Sequence, residues 1–309
     1  MASSEIYRQQ VALLIRVIPF VATERVFALK GGTAINLFVR NLPRLSVDID
    51  LTYLPIEDRD TSLAAIDAAM IRIKEQIEKG IPNVRVHASQ SPRDQVVTKL
   101  IVRSGNVQIK IEVTPVLRGT VYEPVMTSVV DAVEEEFGFA EIQVVSFADL
   151  YAGKIVAALD RQHPRDLFDV RDLLANEGIS DELQRAFLIY LASHNRQMAE
   201  VLSPSRKSLT EEFERGFVGM TQEPITLDSL VEARENIINA IVGEMPEDHR
   251  RFLLGFKRGE PDWSLVGVAG AQNLPAALWK LRNLNLLPAE KRNELVEALE
   301  RVLFPVKDE

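Results

Sequence analysis

Two stretches decide the fold: Phe27-Ala28-Leu29-Lys30-Gly31-Gly32-Thr33 and, a dozen residues on, Ser46-Val47-Asp48-Ile49-Asp50-Leu51-Thr52-Tyr53. In the second, Val47, Ile49 and Leu51 alternate with Asp48 and Asp50. Period two is the mark of a β-strand with one apolar and one polar face. In the first, residues 25–29 read as a short apolar strand. Gly31-Gly32-Thr33 breaks it, and residues 34–40 start a helix. Glycines at such a junction let backbone approach a phosphate, and a helix N-terminus offers free N–H groups to an anion. A plain structural turn accounts for a Gly-Gly pair as well.

Working outward, residues 5–20 read as a helix that Ser3 or Ser4 can cap. Residues 62–79 read as a second, with Leu63, Ile66, Ala69, Met70, Ile73 and Ile77 inward. Strand-like runs follow at 84–88, 95–103, 107–114 and 141–145. Ser104-Gly105-Asn106 marks a hairpin turn between two of them. After Phe147 the patterns are almost wholly helical, as at 149–160, 166–176, 181–194, 227–242 and 289–303. The expected class is α+β: a mixed sheet with flanking helices, then a mostly α-helical C-terminal half. The expected domains are 1–146 and 147–309, with weak linker candidates at 203–205 and 259–264.

Asp48 and Asp50 stand on the same side of their strand. Asp is disfavoured in strands, so two of them amid Val, Ile and Leu need a reason. A pair of carboxylates at this spacing can share a hard cation such as Mg²⁺, which takes oxygen ligands and keeps substrate phosphates in its shell. A wet edge strand is the plainer account. In Gln108-Ile109-Lys110-Ile111-Glu112-Val113 the alternation recurs, with Lys110 and Glu112 on one face. Glu112 would complete an oxygen set for a two-metal displacement. By itself the run also reads as a solvated Lys–Glu pair.

Bulk composition narrows the field. The chain has 309 residues, enough for about two domains. It contains no cysteine, which excludes a disulfide scaffold, a zinc ribbon and a thiol nucleophile. No secretory signal or membrane span is read in the sequence, and a cytoplasmic protein is expected. The net charge of −9 repels nucleic acid at a distance, so an RNA substrate needs a local basic patch, whereas an NTP held through magnesium does not.

The order of these features resembles the DNA polymerase β-like nucleotidyltransferase superfamily: a glycine turn opening a helix, an Asp-x-Asp strand, and a third acid on a later strand. The resemblance spans roughly residues 25–115. It implies that Gly31, Gly32 and Thr33 hold the triphosphate, while Asp48, Asp50 and Glu112 hold the metals. A narrower resemblance rests on Phe27 through Leu37, Arg44-Leu45-Ser46-Val47-Asp48-Ile49-Asp50-Leu51, Lys154-Ile155-Val156-Ala157-Ala158-Leu159-Asp160-Arg161 and Arg165-Asp166-Leu167-Phe168-Asp169-Val170. These look like the AbiEii/AbiGii family, nucleotidyltransferase toxins of type IV toxin–antitoxin and phage-abortive systems. The last hundred residues hold no motif of that family.

The second cluster also has a physical reading. Ile155, Ala158 and Leu159 form a packing face, and Lys154 beside them is a point charge able to reach a phosphate. Pro164 ends one helix and begins the next. Asp166 and Asp169 then sit near a helix N-terminus, where negative charge is favoured. Capping plus an Arg165–Asp169 surface pair accounts for the spacing equally well. The resemblance implies instead that Lys154 contacts phosphates together with Arg165, and that Asp166 or Asp169 positions the acceptor or supports Lys154. His163 is a candidate proton carrier, although a histidine before proline is more often merely exposed. Lys30, Arg40, Arg44, Lys99 and Arg103 are scattered basic residues that could line a nucleotide path. Trp263 and Trp279 are expected in the core.

The leading expectation is a Mg²⁺-dependent transfer of NMP from an NTP to an acceptor hydroxyl. The resemblance implies an RNA acceptor, a tRNA 3′ end, growth arrest as the effect, and a cognate antitoxin encoded nearby whose direct binding is not required. Transfer to a protein side chain, and a nucleotide-binding module without turnover, are the alternatives. The three acids argue against the last.

Overall fold

The computed structural model describes residues 2–305. These divide into two compact units. One runs to Ser146 and includes Gly219–Pro224; the other comprises Phe147–Val218 and the chain from Ile225 onward.

The first unit is built on a seven-stranded mixed sheet. Its elements in chain order are α1 (Ala2–Val21), β1 (Phe27–Lys30), α2 (Gly31–Ala34), β2 (Asp48–Tyr53), α3 (Arg59–Gly80), β3 (Val84–Gln90), β4 (Val97–Ser104), β5 (Val107–Arg118), β6 (Val125–Ser128), α4 (Asp131–Phe137) and β7 (Glu141–Val144). The strand order is β3-β4-β5-β2-β1-β7-β6. The β2–β5 and β1–β7 pairs are parallel; the others are antiparallel.

Alternation along β2 and β5 sets the two faces. Ile49, Leu51, Ile109, Ile111 and Val113 are buried, whereas Asp48, Asp50, Lys110 and Glu112 are half-buried. The amphipathic helices α1 and α3 pack on the sheet. Their apolar stripes are Val11, Leu14, Ile15 and Ile18, and the six inward residues read from the sequence for α3. Gly105, at φ +58°, makes the tight turn between β4 and β5 in a conformation glycine adopts without strain.

Several boundaries differ from the sequence reading. The α1 helix already begins at Ala2, so Ser3 and Ser4 lie inside it rather than before it, and their side chains are outside the described residues. The α3 helix begins at Arg59 because Asp58 caps it, accepting from Thr61 N–H at 2.9 Å. The helix after the double glycine begins at Gly31 and continues as a π-turn, Ile35–Val39. The β5 strand runs past Pro115 to Arg118 through an irregularity in its pairing with β2. The short elements β6 and α4 carry too few residues for a period to be read.

The second unit is helical: α5 (Phe147–Arg161), α6 (Pro164–Asn176), α7 (Asp181–Ser193), α8 (Met198–Leu202), α9 (Thr210–Gly216), α10 (Leu227–Ile238), α11 (Glu247–Arg258), α12 (Pro275–Asn285) and α13 (Ala289–Leu303). The α5 helix packs on α6 and α7, α10 on α6, α11 on α13, and α12 on α7. Pro164 begins α6, as expected from its missing N–H, and His163 caps that helix by accepting from Arg165 N–H at 3.1 Å. Trp263 packs against Phe252 and Phe256, but Trp279 is 52% exposed. The expectation of a core Trp279 is therefore corrected: it lies on the outer side of α12. Among the described residues no helix is long and apolar enough to cross a membrane.

Candidate active site

Three carboxylates of the first unit meet on one face of the sheet through strand register. Asp50 is paired with Glu112 across the parallel β2–β5 ladder, and Asp48 with Lys110. Directly paired residues share a face, so register alone puts all four together. The row continues outward, with Lys30 of β1 opposite Asp50 and Lys99 of β4 opposite Glu112. Acids thus occupy the middle of the row and lysines its two ends.

Lys110 sits between acids. Its Nζ lies 3.0 Å from Glu112 Oε2 and 3.4 Å from Asp48 Oδ2. Burial works against the ammonium, but the hydrogen bond to Glu112 and the charges of Asp48, Glu112 and Asp50 outweigh it and raise its pKa. Asp50 shows the reverse balance. Burial pushes its pKa up, with Asp48 and Glu112 adding to the rise, and this exceeds the pull of Lys110 and Lys30. The Lys30 amine is pushed down by burial, which Asp50 only partly offsets.

The double glycine serves this row directly. Gly31 has φ +77°, and a Cβ there would stand 2.8 Å from Asp50 Oδ2. The Asp50 carboxylate therefore lies against bare backbone. A Cβ on Gly32 would meet Arg44 Nη2 and Ser46 Oγ, each at 2.8 Å. Thr33 is fully buried, and its hydroxyl donates to the Asp48 carbonyl at 2.5 Å and lies 3.2 Å from Ser46 Oγ. Thr33 thus ties the helix after the glycines to the start of β2. Arg44 is 3% exposed and its Nη1 donates to the Leu45 carbonyl. Its segment is held in place by the Arg44–Thr221 bridge and the Leu45 N–H to Met220 carbonyl bond. Lys110 and Ser46 were not singled out for the site from the sequence. The alternation of β5 placed Lys110 beside Glu112, but only the β2–β5 register brings it to Asp48.

Among the described residues, no three acidic or histidine side chains already converge as a metal cage. The donor chemistry nevertheless suits a hard cation. Asp48, Asp50 and Glu112 offer carboxylate oxygens from adjacent strands, and a cationic group, the Lys110 ammonium, already lies between two of them.

The second unit carries its own cluster. Lys154 Nζ lies 2.9 Å from Asp166 Oδ1 and 3.0 Å from Asp169 Oδ2, and Arg161 Nη2 lies 2.8 Å from Asp166 Oδ2. Lys154, Asp166 and Asp169 are nearly wholly buried, whereas Arg161 is largely exposed. The Arg165–Asp169 surface pair considered from spacing is not formed. Asp169 faces inward to Lys154, and Arg165 points out to solvent. His163 Nδ1 is occupied in capping, and burial, reinforced by Arg165, lowers its pKa, so neutral imidazole is favoured.

No curated protein matches the chain. Among solved structures, MenT4, a nucleotidyltransferase toxin from Mycobacterium tuberculosis H37Rv, is similar in fold, with a TM-score of 0.59 at 15% identity over 96% of this chain and 94% of that one. The family described as nucleotidyl transferase AbiEii toxin, type IV toxin–antitoxin system, matches residues 12–283. With most of its length matched, the chain belongs to the AbiEii family, the nucleotidyltransferase toxins of type IV toxin–antitoxin systems.

Proposed function

We propose that this nucleotidyltransferase moves an NMP from an NTP to a hydroxyl of RNA, with a tRNA 3′ end as acceptor and Mg²⁺ as the divalent ion. The observation that carries the reading is the Asp50–Glu112 register pair with Asp48 one step along the same face. Asp48, Asp50 and Glu112 would hold the metal, with Lys110 withdrawing from between them. Bound there, Mg²⁺ supplies charge neutralisation for the phosphates and for the leaving pyrophosphate.

The chain's own residues do the rest. Gly31 and Gly32 allow close approach of backbone to the triphosphate, and Thr33 positions them by its bond to Asp48. Lys154, held by Asp166 and Asp169, provides a positive charge for phosphates, with Arg165, exposed at the start of α6, as a further cation. In this reading residues 1–146 are the nucleotidyltransferase core, and the helical domain, from residue 147, carries the Lys154, Asp166 and Asp169 groups. Catalysis is then mainly positioning and electrostatics. A cytoplasmic role in phage defence, restrained by an antitoxin encoded nearby, accords with the family.

The test is incorporation from α- and γ-labelled NTPs into total tRNA, with Mg²⁺ or with EDTA. The α label should enter RNA with Mg²⁺ only. Asp48→Ala should lower the rate roughly a hundredfold or more while leaving the circular dichroism spectrum unchanged. Transfer of the γ label, labelling of protein instead of RNA, or full activity in Asp48→Ala would overturn the reading.

A further inference from the structure

The second unit contains a cavity of about 260 Å³ that shares no residue with the Lys154–Asp166–Asp169 cluster. It lies where the end of α7 and the start of α8 meet α11, α12 and α13. The chain as a whole is acidic, with 45 Asp and Glu against 36 Lys and Arg. Yet among the described residues no carboxylate lines this cavity, while Lys257, Lys280, Arg196 and His194 do.

The four basic side chains are not equivalent. Arg196 and His194 are both satisfied by Asp160, at 2.7 and 3.2 Å, and Arg196 also by Glu200. The two lysines donate hydrogen bonds only to neutral groups. Lys257 is 5% exposed and donates to Gln197 Oε1 at 2.7 Å; Lys280 donates to the Asn195 carbonyl at 3.2 Å. A buried ammonium without an anionic partner is costly. The strain registers in its acidity. Burial, and then the charge of Lys280, bring the Lys257 pKa down to about 8, and the charge of Glu200 offsets them only in part. Burial alone also lowers that of Lys280. An anion in the cavity would supply the missing counter-charge.

Trp279 adds a second chemistry. It precedes Lys280 on α12, lines the same cavity and is half exposed. An indole beside two lysines provides a flat surface for a base next to cations for its phosphate. Asn283, one turn along α12, adds an amide to the wall.

We propose that this cavity binds a nucleotide unit, with Lys257 and Lys280 holding its phosphate and Trp279 stacking on its base. The phosphate chemistry is the same whether the unit is a free mononucleotide or the end of an RNA chain. This inference does not depend on the acids of the first unit.

The experiment is titration of the full chain in EDTA, followed by tryptophan fluorescence and calorimetry. The probes are AMP, adenosine, inorganic phosphate and a short 5′-phosphorylated oligoribonucleotide. Saturable binding of AMP or the oligonucleotide with a change in Trp279 emission is expected, with adenosine and phosphate each binding more weakly. A tighter oligonucleotide identifies RNA as the source; a tighter AMP identifies the free nucleotide. Lys280→Gln, a structurally mild change at a half-buried position, should weaken binding about tenfold, and Trp279→Ala should bring the affinity down to that of phosphate. Asp48→Ala should leave the affinity unchanged. Absence of saturable binding, equal affinity for phosphate and AMP, or affinity untouched by Lys280→Gln and Trp279→Ala would each overturn the proposal.

Discussion

Asp50 and Glu112 stand side by side on parallel strands, in register across the β2–β5 ladder, although 62 residues separate them in sequence. Like charges paired on one face repel each other, and cross-strand pairs of like sign are destabilising. The fold tolerates the pair because Lys110 lies between Asp48 and Glu112 and because the row ends in Lys30 and Lys99.

The raised pKa of Asp50 has a defined sign in stability. The folded state holds this proton more tightly than the unfolded chain does. Stability therefore falls as pH rises from the ordinary carboxylate value through the raised one, and above that window the charged carboxylate is a standing cost. Asp50→Asn should accordingly melt at a higher temperature than the wild type near neutral pH in EDTA, while losing activity. The advantage should vanish in acid, below the ordinary carboxylate value. Melting curves across this range check it. A less stable Asp50→Asn near neutrality would mean that attraction to Lys110 and Lys30 dominates.

Lys110→Gln removes the one cation lying between acids of the row. The pair is partly solvated, with 28% of the Lys110 side chain and 40% of the Glu112 side chain exposed, so the loss should be no more than about 1 kcal/mol in EDTA. Added Mg²⁺ should restore the melting temperature of this variant more than it raises that of the wild type, because the ion then meets no competing ammonium. Equal Mg²⁺ shifts in both proteins would count against Lys110 as the resident counter-ion.

Gly31→Ala combines two penalties. Its φ of +77° is left-handed, which costs a non-glycine residue about 1–2 kcal/mol. The new methyl would also stand 2.8 Å from Asp50 Oδ2 and displace it. Lower stability and a loss of activity are expected together. Because the two residues touch, Gly31→Ala and Asp50→Asn should not be additive in urea unfolding, and strict additivity would refute the contact.

The buried triad of the second unit should behave differently from the row. Lys154→Ala leaves Asp169 and Asp166 without the lysine in a nearly dry site, a change of the kind that costs about 3–5 kcal/mol. Arg161→Ala, on the same Asp166 but largely exposed, should cost no more than about 1 kcal/mol. Urea denaturation of the two variants compares them. Similar losses would show that Lys154 is not the group that pins α5 to α6.

Much of the candidate site was legible in the primary sequence because a strand's period is local. Asp48 and Asp50 among Val, Ile and Leu announce one wet face, and Lys110 and Glu112 announce another. Pro164 likewise announced a helix start, and Gly105-Asn106 a hairpin turn. Short elements such as β6 and α4, and the cap at Asp58, were not legible because too few residues carry their pattern. Register was not legible either. Nothing along the chain says that β2 pairs in parallel with β5 so that Asp50 meets Glu112, or that Asp169 turns in to Lys154 instead of out to Arg165. Local alternation and caps arise from neighbours a few residues apart, which the chain itself specifies. Which carboxylate meets which cation depends on how whole strands and helices pack to bury their apolar faces, and that is decided only when the fold closes.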